Sequence, residues 1–145
     1  MIIRPYREED LDHLVAIWKR AVEATHDFLS ADDIAALEEQ VHDIYIPAVE
    51  VYVSEAPDST PAGFIGLSEN MVEMLFIDPQ YHGHGMGRAL LDHARGLRGL
   101  LRVDVNEQNP KAHAFYLKYG FRNIGRSELD SAGRPFPIIH MAETD

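Results

Sequence analysis

The sequence predicts a single domain, residues 1–145, of the α/β class, built as an α+β mixed sheet with helices on both faces. Three observations favour this class. The chain has 145 residues and 46% of them are apolar, which is enough for one packed core. Strand and helix patterns follow one another in the order β-α-α-β-β-β-α-β-α-β-β. One strand–loop–helix–strand unit lies inside that series, so a parallel pair is expected within an otherwise antiparallel sheet.

The first half of the chain predicts a short strand, two helices and a hairpin. Residues 2–6 (IIRPY) are the short strand. From Glu8 onward, apolar residues recur at a spacing of three and four, which indicates an amphipathic helix. Ser30 followed by Asp33 resembles a capping box and starts the second helix. Residues 49–68 contain two strand-like segments around the turn sequence PDSTP and predict a hairpin.

The second half predicts four strands and two helices. Residues 71–78 (MVEMLFID) are nearly all apolar, which is typical of a central strand covered on both faces. A glycine-rich loop and a helix follow, and residues 100–106 form the next strand. The segment PKAHAFYLKYG begins with proline and ends with glycine, as helices often do. FRNIGRSEL and RPFPIIHMA are the last strands, and Pro135 and Pro137 place the final strand partly at an edge.

The apolar pattern also predicts which residues are buried. The inward face of the helix after the glycine-rich loop is expected to be Met86, Ala89, Leu90, Ala94 and Leu97. The residues expected in the core are Trp18, Phe64, Leu75, Ile77, Leu90, Val103 and Phe115.

The composition excludes several function classes. The chain contains no cysteine, which excludes disulfides, thiolate metal sites and cysteine nucleophiles and fits a cytoplasmic location. No apolar run approaches the roughly 20 residues needed to cross a bilayer, and the acidic start MIIRPYREEDLDHL lacks the apolar core of a signal peptide. The net charge of −11 disfavours nucleic acid and anionic membranes as partners and favours a cationic small molecule or basic peptide. The sequence leaves open whether the protein is a monomer or a homodimer.

The stretch HGHGMGRALLDHA, residues 82–94, places glycines where a helix begins. A helix N-terminus offers about four unpaired N–H groups and roughly half a positive charge, and phosphates bind there readily. Glycine lets a bound group approach the backbone closely. Gly83, Gly85 and Gly87 therefore predict a pyrophosphate cradle, to which Arg88 adds a charge-assisted contact.

Three phosphate-binding chemistries compete for this loop. A Walker loop is excluded because the loop ends in Gly-Arg-Ala, which lacks the lysine and the hydroxyl that such a loop needs. A dinucleotide fingerprint is weakened because its third glycine, Gly87, comes one residue early, although Asp104 lies about as far downstream as that motif expects. A dinucleotide-binding oxidoreductase therefore stays open as an alternative. The third chemistry is coenzyme A.

Two stretches of the sequence carry a family resemblance. LFIDPQYHGHGMGRALLDHA followed by VNEQNPKAHAFYLKYGFRNIGR resembles the GCN5-related N-acetyltransferases, the GNAT family. ATHDFLS and DSAGRPFPIIHM further resemble a subgroup of small bacterial members. The resemblance implies the GNAT acyl-CoA N-acyltransferase fold and an acetyl-CoA-dependent enzyme that acetylates an amine of a small molecule or a protein. A non-catalytic acyl-CoA-binding module is the alternative from another function class.

The resemblance also implies which residues hold acetyl-CoA. The family loop R/Q-x-x-G-x-G/A falls on residues 82–87, with His82 in the place of arginine or glutamine. The strand before this loop is implied to pair with the pantetheine amides of the cofactor. The full set implied to bind acetyl-CoA is Leu75, Phe76, Ile77, His82, Gly83, His84, Gly85, Met86, Gly87, Arg88, Asn109 and Tyr116.

Acetyl transfer to an amine needs a proton donor for the leaving sulfur and a proton acceptor for the amine. Tyr116 matches the family tyrosine near the sulfur and is the expected donor. Glu73, a carboxylate inside an apolar strand, is the expected base, directly or through water, unless strand alternation turns it to solvent. A backbone N–H such as that of Ile77 would polarise the thioester carbonyl. Because no cysteine can carry an acetyl group, direct attack in a ternary complex is favoured, and a relay through a serine or another residue stays open as the alternative.

The acceptor is expected to bind between the first two helices, where the family builds its acceptor wall. His26 and Asp27 lie there and are the predicted acceptor-binding residues. His26 is suited to carry a proton near neutral pH and is the alternative base to Glu73, and Asp27 is suited to a cationic amine. Asp130 and Arg134, in the turn between the last two strands, are weaker candidates because their spacing is ordinary turn chemistry.

A metal site is the alternative interpretation of the histidines. His82, His84 and His93 are close in sequence, and His113 lies within reach of the same region. No carboxylate or cysteine stands at ligand spacing, and a metal would leave the glycines of the loop unexplained. The sequence therefore predicts no metal.

Overall fold

The computed structural model describes residues 1–25 and 29–144. Within them the chain forms seven strands, which are β1 Ile3–Pro5, β2 Glu50–Glu55, β3 Pro61–Ser68, β4 Met71–Ile77, β5 Arg102–Asn106, β6 Phe121–Ser127 and β7 Ile138–Glu143. The α-helices are α1 Leu11–Thr25, α2 Ala31–Gln40, α3 Met86–Arg98 and α4 Pro110–Tyr119. None of these helices is both long and apolar enough to cross a membrane.

The seven strands form one mixed sheet in the order β1-β2-β3-β4-β5-β7-β6. The pair β4–β5 is parallel and every other neighbouring pair is antiparallel, which confirms the predicted fold class. Only Met71 and Val72 of β4 have register partners on β5. Beyond Val72 the two strands separate, so the sheet is open between them at its centre.

A β-bulge in β4 begins at this opening. Val72 pairs with Leu67 and Met74 pairs with Gly66 on β3, which leaves Glu73 as the extra residue. An extra residue bends a strand and re-aims the side chains that follow it. The nearly continuous apolar run predicts a strand covered on both faces, but residues 74–77 are only half-buried. That prediction is wrong for this part of β4 because cavities, described below, lie on both of its faces.

Two apolar clusters pack on the two faces of the sheet. One joins α3 and α4 to the sheet and contains Leu90, Val103 and Phe121, and the other joins α1 and α2 to it and contains Trp18 and Phe64. The core prediction is confirmed for Trp18, Phe64, Leu90 and Val103, while Leu75, Ile77 and Phe115 pack against a cluster and stay half-buried.

The predicted inward face of α3 is correct except at its end. Met86, Leu90 and Ala94 are buried, whereas Leu97 is 47% exposed. The last α3 residue in the packed cluster is Ala94, so the final turn of the helix extends beyond the core. Ala89 is half-buried.

The final strand, β7, is not an edge strand, so that prediction is wrong. It lies between β5 and β6, and β6 forms the edge. Pro135 and Pro137 precede the first residue of β7, Ile138, so they remove no hydrogen bond from the strand itself.

The predicted helix starts are confirmed by their capping contacts. The Ser30 side chain accepts a hydrogen bond from the Asp33 N–H, and the Asp33 carboxylate accepts one from the Ser30 N–H. Asn109 caps α4 by accepting a hydrogen bond from the Ala112 N–H. Gly120 ends α4 with a φ of +131°, which favours glycine.

Candidate active site

A cavity of about 550 Å³ lies between the end of α1, the second half of β4, the loop before α3 and the start of α4. We call it the glycine-loop cavity. The predicted cofactor-binding residues that line it are Leu75, Phe76, Ile77, His82, Gly83, Gly85, Met86, Gly87, Arg88, Asn109 and Tyr116. His84 is the predicted residue that does not line it, and its ring lies edge-on to Tyr81 at a centroid distance of 6.0 Å. Folding therefore brings eleven of the twelve predicted residues to one place from three segments: β4, the glycine loop with the start of α3, and α4.

The three loop glycines serve two different structural purposes. Gly83 and Gly85 have φ values of +82° and +78°, in the left-handed region that favours glycine. A Cβ on either would meet no atom within 4 Å, so the backbone here is open on its outer side. Gly87 is needed for packing, because a Cβ there would lie 3.1 Å from Cζ of Phe115. The sequence assigns all three glycines one purpose, the close approach of a bound group, whereas only Gly83 and Gly85 shape the turn itself.

The loop presents an unpaired helix N-terminus to the glycine-loop cavity. Gly85 is the N-cap of α3 and has no side chain to bond the first N–H groups of the helix. The Ala89 N–H is bonded to the Gly85 carbonyl at 3.0 Å, so the N–H groups of the preceding turn are the ones without a helical acceptor. Arg88 and Lys111 line the same cavity and add positive charge. This combination fits a pyrophosphate or another polyanion.

The opening between β4 and β5 exposes backbone groups of β4. The Asp78 N–H bonds to the Ala62 carbonyl of β3 at 2.8 Å. Because successive peptide groups of a strand point to opposite sides, the Ile77 N–H points away from β3, toward the opening. A strand-like ligand chain can bond to β4 along this edge, as the sequence analysis expected of the pantetheine amides.

Tyr116 lies at the inner wall of the glycine-loop cavity. Its side chain is buried, and its ring stands edge-on to Phe115 and Phe121 at centroid distances of 5.2 and 5.3 Å. Burial raises the pKa of the Tyr116 phenol well above its ordinary value of 10. Tyr116 therefore stays protonated at any ordinary working pH and can act as a proton donor. The sequence signal for it was the family motif rather than its helix position.

A second cavity, of about 560 Å³, lies on the α1 and α2 side of β4. Its rim includes the loop of residues 128–137 between β6 and β7, so we call it the β6–β7-loop cavity. The residues of its wall that matter below are Trp18, Tyr45, Glu73, Phe76, Asn106, Asp130, Arg134 and Phe136. Phe76 lines both cavities, so the two meet at this residue of β4.

The carboxylates of the β6–β7-loop cavity are held in different ways. Glu73 is exposed because the bulge turns its side chain to solvent. Its place within an apolar strand is therefore no longer an argument for a catalytic role. Asp130 is fixed by two backbone hydrogen bonds to its Oδ1, from Ala132 at 2.9 Å and Arg134 at 2.8 Å. The two weaker candidates of the sequence analysis, Asp130 and Arg134, do line this cavity together.

Some site predictions fall elsewhere in the structure. His26 and Asp27 lie outside the described residues. Asp104, which kept the dinucleotide alternative open, is bonded to His140 and is absent from the wall of the glycine-loop cavity. Sequence reasoning missed Lys111, Asn106 and the aromatic wall of the β6–β7-loop cavity. Lys111 could have been predicted from the sequence, because it is a cation in the first helical turn after Asn109, a predicted cofactor-binding residue.

The histidines of the metal alternative are dispersed. The His93 ring packs on Tyr52 at a centroid distance of 4.8 Å, and His113 Nε2 lies 2.8 Å from Asn123 Oδ1. Residues 1–25 and 29–144 contain no group of three or more His, Cys, Asp or Glu side chains placed to hold a metal ion. The loop histidines therefore contribute nothing to such a site within this part of the chain.

Comparisons with known proteins agree with this geometry. The profile of the acetyltransferase (GNAT) domain matches residues 6–142. Peptidyl-lysine N-acetyltransferase YjaB of Salmonella typhimurium is 44% identical over 139 residues, which cover 96% of this chain and 95% of that protein. The solution structure of apo-form YjaB from Escherichia coli superimposes with a TM-score of 0.91 at 43% identity, over 99% of both chains. A GCN5-related N-acetyltransferase from Rhodopseudomonas palustris, at 22% identity, shares the fold with a TM-score of 0.83 over 99% of this chain and 95% of its own.

Proposed function

The chain belongs to the GNAT acetyltransferase family and is an acetyl-CoA-dependent N-acetyltransferase that acetylates an amine, and from this premise we propose that its acceptor is a lysine side chain of a protein. The relatives of 44% identity carry the name peptidyl-lysine N-acetyltransferase. Neither a dinucleotide-binding oxidoreductase nor a non-catalytic binding module finds support in these relatives.

The observation that carries the proposal is the meeting of two cavities across β4. The glycine-loop cavity has the anion-binding helix end, and the β6–β7-loop cavity has carboxylates and aromatic walls. They meet at Phe76, beside the opening between β4 and β5. Donor and acceptor can therefore approach the same point from opposite faces of the sheet. This arrangement supports direct attack in a ternary complex, with much of the rate gained by positioning.

The residues of the glycine-loop cavity fit acetyl-CoA. When bound, acetyl-CoA supplies the activated thioester carbonyl. The free N–H groups at the start of α3, with Arg88 and Lys111, hold the pyrophosphate and nearby phosphate charge. The exposed edge of β4 pairs with the pantetheine amides, and the Ile77 N–H polarises the carbonyl. His82 also lines the cavity. The histidine that stands at the position of the family arginine or glutamine therefore still lies at the cavity wall.

Tyr116 is the proposed acid of the reaction. Its hydroxyl donates a proton to the sulfur as the thiolate leaves, and its raised pKa keeps that proton available. Asn109 orients the start of α4, because its side-chain oxygen is used as the helix cap. Its side-chain N–H groups are the ones available for the cofactor arm.

Glu73 is the proposed proton acceptor for the amine. It lines the β6–β7-loop cavity and is exposed, which fits a carboxylate that works through water. Its position at the bulge places it three residues before Phe76, where the cavities meet. A base is needed because a lysine amine is protonated at neutral pH and attacks only in its neutral form.

The β6–β7-loop cavity suits a lysine side chain. The aromatic walls of Trp18, Tyr45 and Phe136 can pack against its methylene groups, and Glu73 and Asp130 can attract its ammonium group. The net charge of −11 favours a basic region of the acceptor protein. His26 and Asp27 remain proposed acceptor contacts on the evidence of the sequence alone.

A peptide assay tests the acceptor. The substrate is a basic peptide with one internal lysine and a blocked N-terminus, compared with a peptide that has a free N-terminus and norleucine instead of lysine. Release of free CoA and mass spectrometry of the peptide are measured together. We expect CoA release with one acetyl group on the lysine and no modification of the second peptide. Acetylation of the free N-terminus alone, or of small amines alone, would reject lysine as the acceptor and leave the acetyltransferase activity standing.

A further inference from the structure

Ser127, His140 and Asp104 form a hydrogen-bonded chain that the acetyltransferase reaction does not use. Ser127 Oγ lies 2.6 Å from His140 Nε2, and His140 Nδ1 lies 2.7 Å from Asp104 Oδ1. The three residues belong to the neighbouring strands β6, β7 and β5. Val103 and Val105 pack in the cluster under α3, so Asp104, which lies between them on β5, faces the opposite side of the sheet.

Strand register explains why these side chains meet. His140 stands opposite Asp104 on β5 and opposite Gly125 on β6. A bulge at Ile124 shifts β6 so that Ser127 pairs with Ile138 and shares the face of His140. If the same sequence paired without the bulge, β6 would be shifted by one residue and Arg126 would stand opposite Ile138 in place of Ser127. The bulge therefore selects the serine.

Gly125 keeps the space beside the imidazole clear. A Cβ at Gly125 would already lie 3.6 Å from Cδ2 of His140, so a larger side chain would cover the ring. Ser127, two residues further along β6, reaches Nε2 over this glycine. The side chains of His140 and Asp104 keep 33% and 46% of their surfaces exposed, so a small molecule can approach the chain of groups.

The order serine, imidazole, carboxylate is the order that activates a serine nucleophile. The Asp104 carboxylate accepts a hydrogen bond from Nδ1–H of His140, which leaves Nε2 as the acceptor for the Ser127 hydroxyl. We propose that Ser127 is the nucleophile of a second reactive centre, which takes acyl groups from small activated esters or thioesters and transfers them to water.

The proposed reaction conserves atoms and charge. Ser127 Oγ attacks the carbonyl carbon while its proton passes to His140 Nε2, and the bond to the leaving oxygen or sulfur breaks with its electron pair. His140 returns the proton to the leaving group, which gives an alcohol or thiol and an acyl-serine. A water molecule then attacks the acyl-serine with His140 as base, and Ser127 regains its proton as the acid departs. The net reaction is ester plus water to acid plus alcohol.

The centre borders the β6–β7-loop cavity without belonging to it. Asn106, two residues beyond Asp104 on β5, lines that cavity, whereas none of the three residues of the centre does. Removal of the centre is expected to leave lysine acetylation unchanged.

Serine-directed labelling of the whole chain tests the proposal. The protein is treated with a fluorophosphonate probe, the labelled serines are located by mass spectrometry, and hydrolysis of p-nitrophenyl acetate is followed in parallel. Ser59, an exposed serine in a turn, serves as the internal reference. We expect label at Ser127 to exceed label at Ser59 by about tenfold or more, since an adjacent base activates the hydroxyl. Equal labelling of the two serines in the wild-type protein would overturn the proposal, whatever the variants do.

Variants locate the source of the reactivity. Ser127→Ala should abolish labelling at that position and most ester hydrolysis, and His140→Gln should lower both about 100-fold. Asp104→Asn should lower them less, because it leaves the imidazole in place. Acetyl transfer to the lysine peptide serves as the folding control for each variant. If His140→Gln acetylates the peptide normally and still hydrolyses the ester at the wild-type rate, the imidazole is not the base and the proposal falls.

Discussion

The two cavities on opposite faces of β4 are nearly equal in volume, about 550 and 560 Å³, but they differ in the kinds of groups that line them. The glycine-loop cavity offers a ligand backbone groups beside the side chains of Arg88 and Lys111: a helix N-terminus, two glycines with positive φ and the open edge of β4. The polar part of the β6–β7-loop cavity is mainly side chains, including Glu73, Asp130 and Arg134. The proposed donor site is thus made partly of groups that substitutions of side chains barely change.

This difference predicts how each side responds to mutation. On the donor side, a substitution has a large effect where it alters backbone conformation or removes the single reacting side chain. On the acceptor side, each side chain contributes part of the recognition, so single substitutions have smaller effects. Such an acceptor site can change its preference by point mutation while the donor site stays intact.

Removing the Tyr116 hydroxyl is expected to have the largest effect. Tyr116→Phe keeps the ring contacts with Phe115 and Phe121 but removes the proton donor for the leaving sulfur. We expect kcat to fall about 100-fold or more, with little change in the Kd for acetyl-CoA. Steady-state kinetics and calorimetric titration measure the two quantities separately.

Tyr119→Phe is the matched control for this change. Tyr119 lies on the same helix, and its hydroxyl donates a hydrogen bond to Asp92 at 2.6 Å, away from the glycine-loop cavity. Its loss should leave kcat within about twofold of the wild type, because it touches no reacting group. Equal losses in the two variants would show that Tyr116 acts through packing and would remove its role as the acid.

A backbone change in the loop is expected to have the next largest effect. Gly85 has a φ of +78°, and a left-handed conformation costs a residue with a Cβ about 1–2 kcal/mol. Gly85→Ala should therefore raise the KM for acetyl-CoA about 5- to 30-fold, and the KM for the peptide should not change. Gly96→Ala, inside α3 where a Cβ meets no atom within 4 Å, should leave both constants unchanged. A rise in the peptide KM for Gly85→Ala would break the separation between the two cavities.

The carboxylate at the bulge gives a smaller effect on the acceptor side. Glu73→Gln removes one charged contact, worth about 1.5 kcal/mol, so kcat/KM for the lysine peptide should fall roughly tenfold. The KM for acetyl-CoA should stay the same, since Glu73 lines only the β6–β7-loop cavity. Glu69→Gln makes the same change of charge at an exposed turn before β4 and should leave the kinetics intact.

The pH dependence of kcat/KM distinguishes two roles for Glu73: general base for the amine, and electrostatic attraction of the ammonium group. If Glu73 accepts the amine proton, the acid limb of the kcat/KM profile should be lost or displaced in Glu73→Gln. An unaltered profile together with the lower kcat/KM would assign Glu73 to attraction of the ammonium group. In that case the β6–β7-loop cavity binds the acceptor, and the proton leaves by another route.

The same difference explains what the sequence could predict. The residues of the glycine-loop cavity could be predicted because they fall in two short motifs. The helix caps and glycine turns of these motifs depend on neighbouring residues in the sequence. The β6–β7-loop cavity could not be predicted, because Trp18, Tyr45 and Phe136 are distant in sequence. Each has the sequence pattern of an ordinary core or surface residue. The half-burial of residues 74–77 in β4 escaped prediction for a related reason, and the exposure of Glu73 was one of two open alternatives. They depend on a bulge and a strand separation, which periodicity does not encode.

The smallest expected effect on activity concerns Asp78, which anchors the start of the glycine loop. It is buried, and its carboxylate accepts a hydrogen bond from Arg20 on α1 at 2.6 Å. Burial opposes its ionisation, but the hydrogen bonds from Arg20 and Gln80 outweigh burial and lower its pKa below the usual 3.8. Asp78→Asn should lower the free energy of unfolding by about 1–2 kcal/mol and raise the KM for acetyl-CoA severalfold.

Asp10 supplies the matched comparison, since it is also buried, is paired with Arg4 and has a pKa lowered by that hydrogen bond. Asp10→Asn should lower the free energy of unfolding by a similar amount and leave the KM for acetyl-CoA unchanged, because Asp10 lies outside both cavities.

A carboxyl whose pKa is lowered in the folded protein stabilises the fold fully above its unfolded pKa, near 3.8, and loses that contribution as pH falls through the folded pKa. The stability difference between wild type and either variant should therefore be constant from pH 8 to about 5 and shrink below about 4. Denaturant titrations across this range measure it, and an unchanged acetyl-CoA KM in Asp78→Asn would show that the loop holds its shape without this anchor.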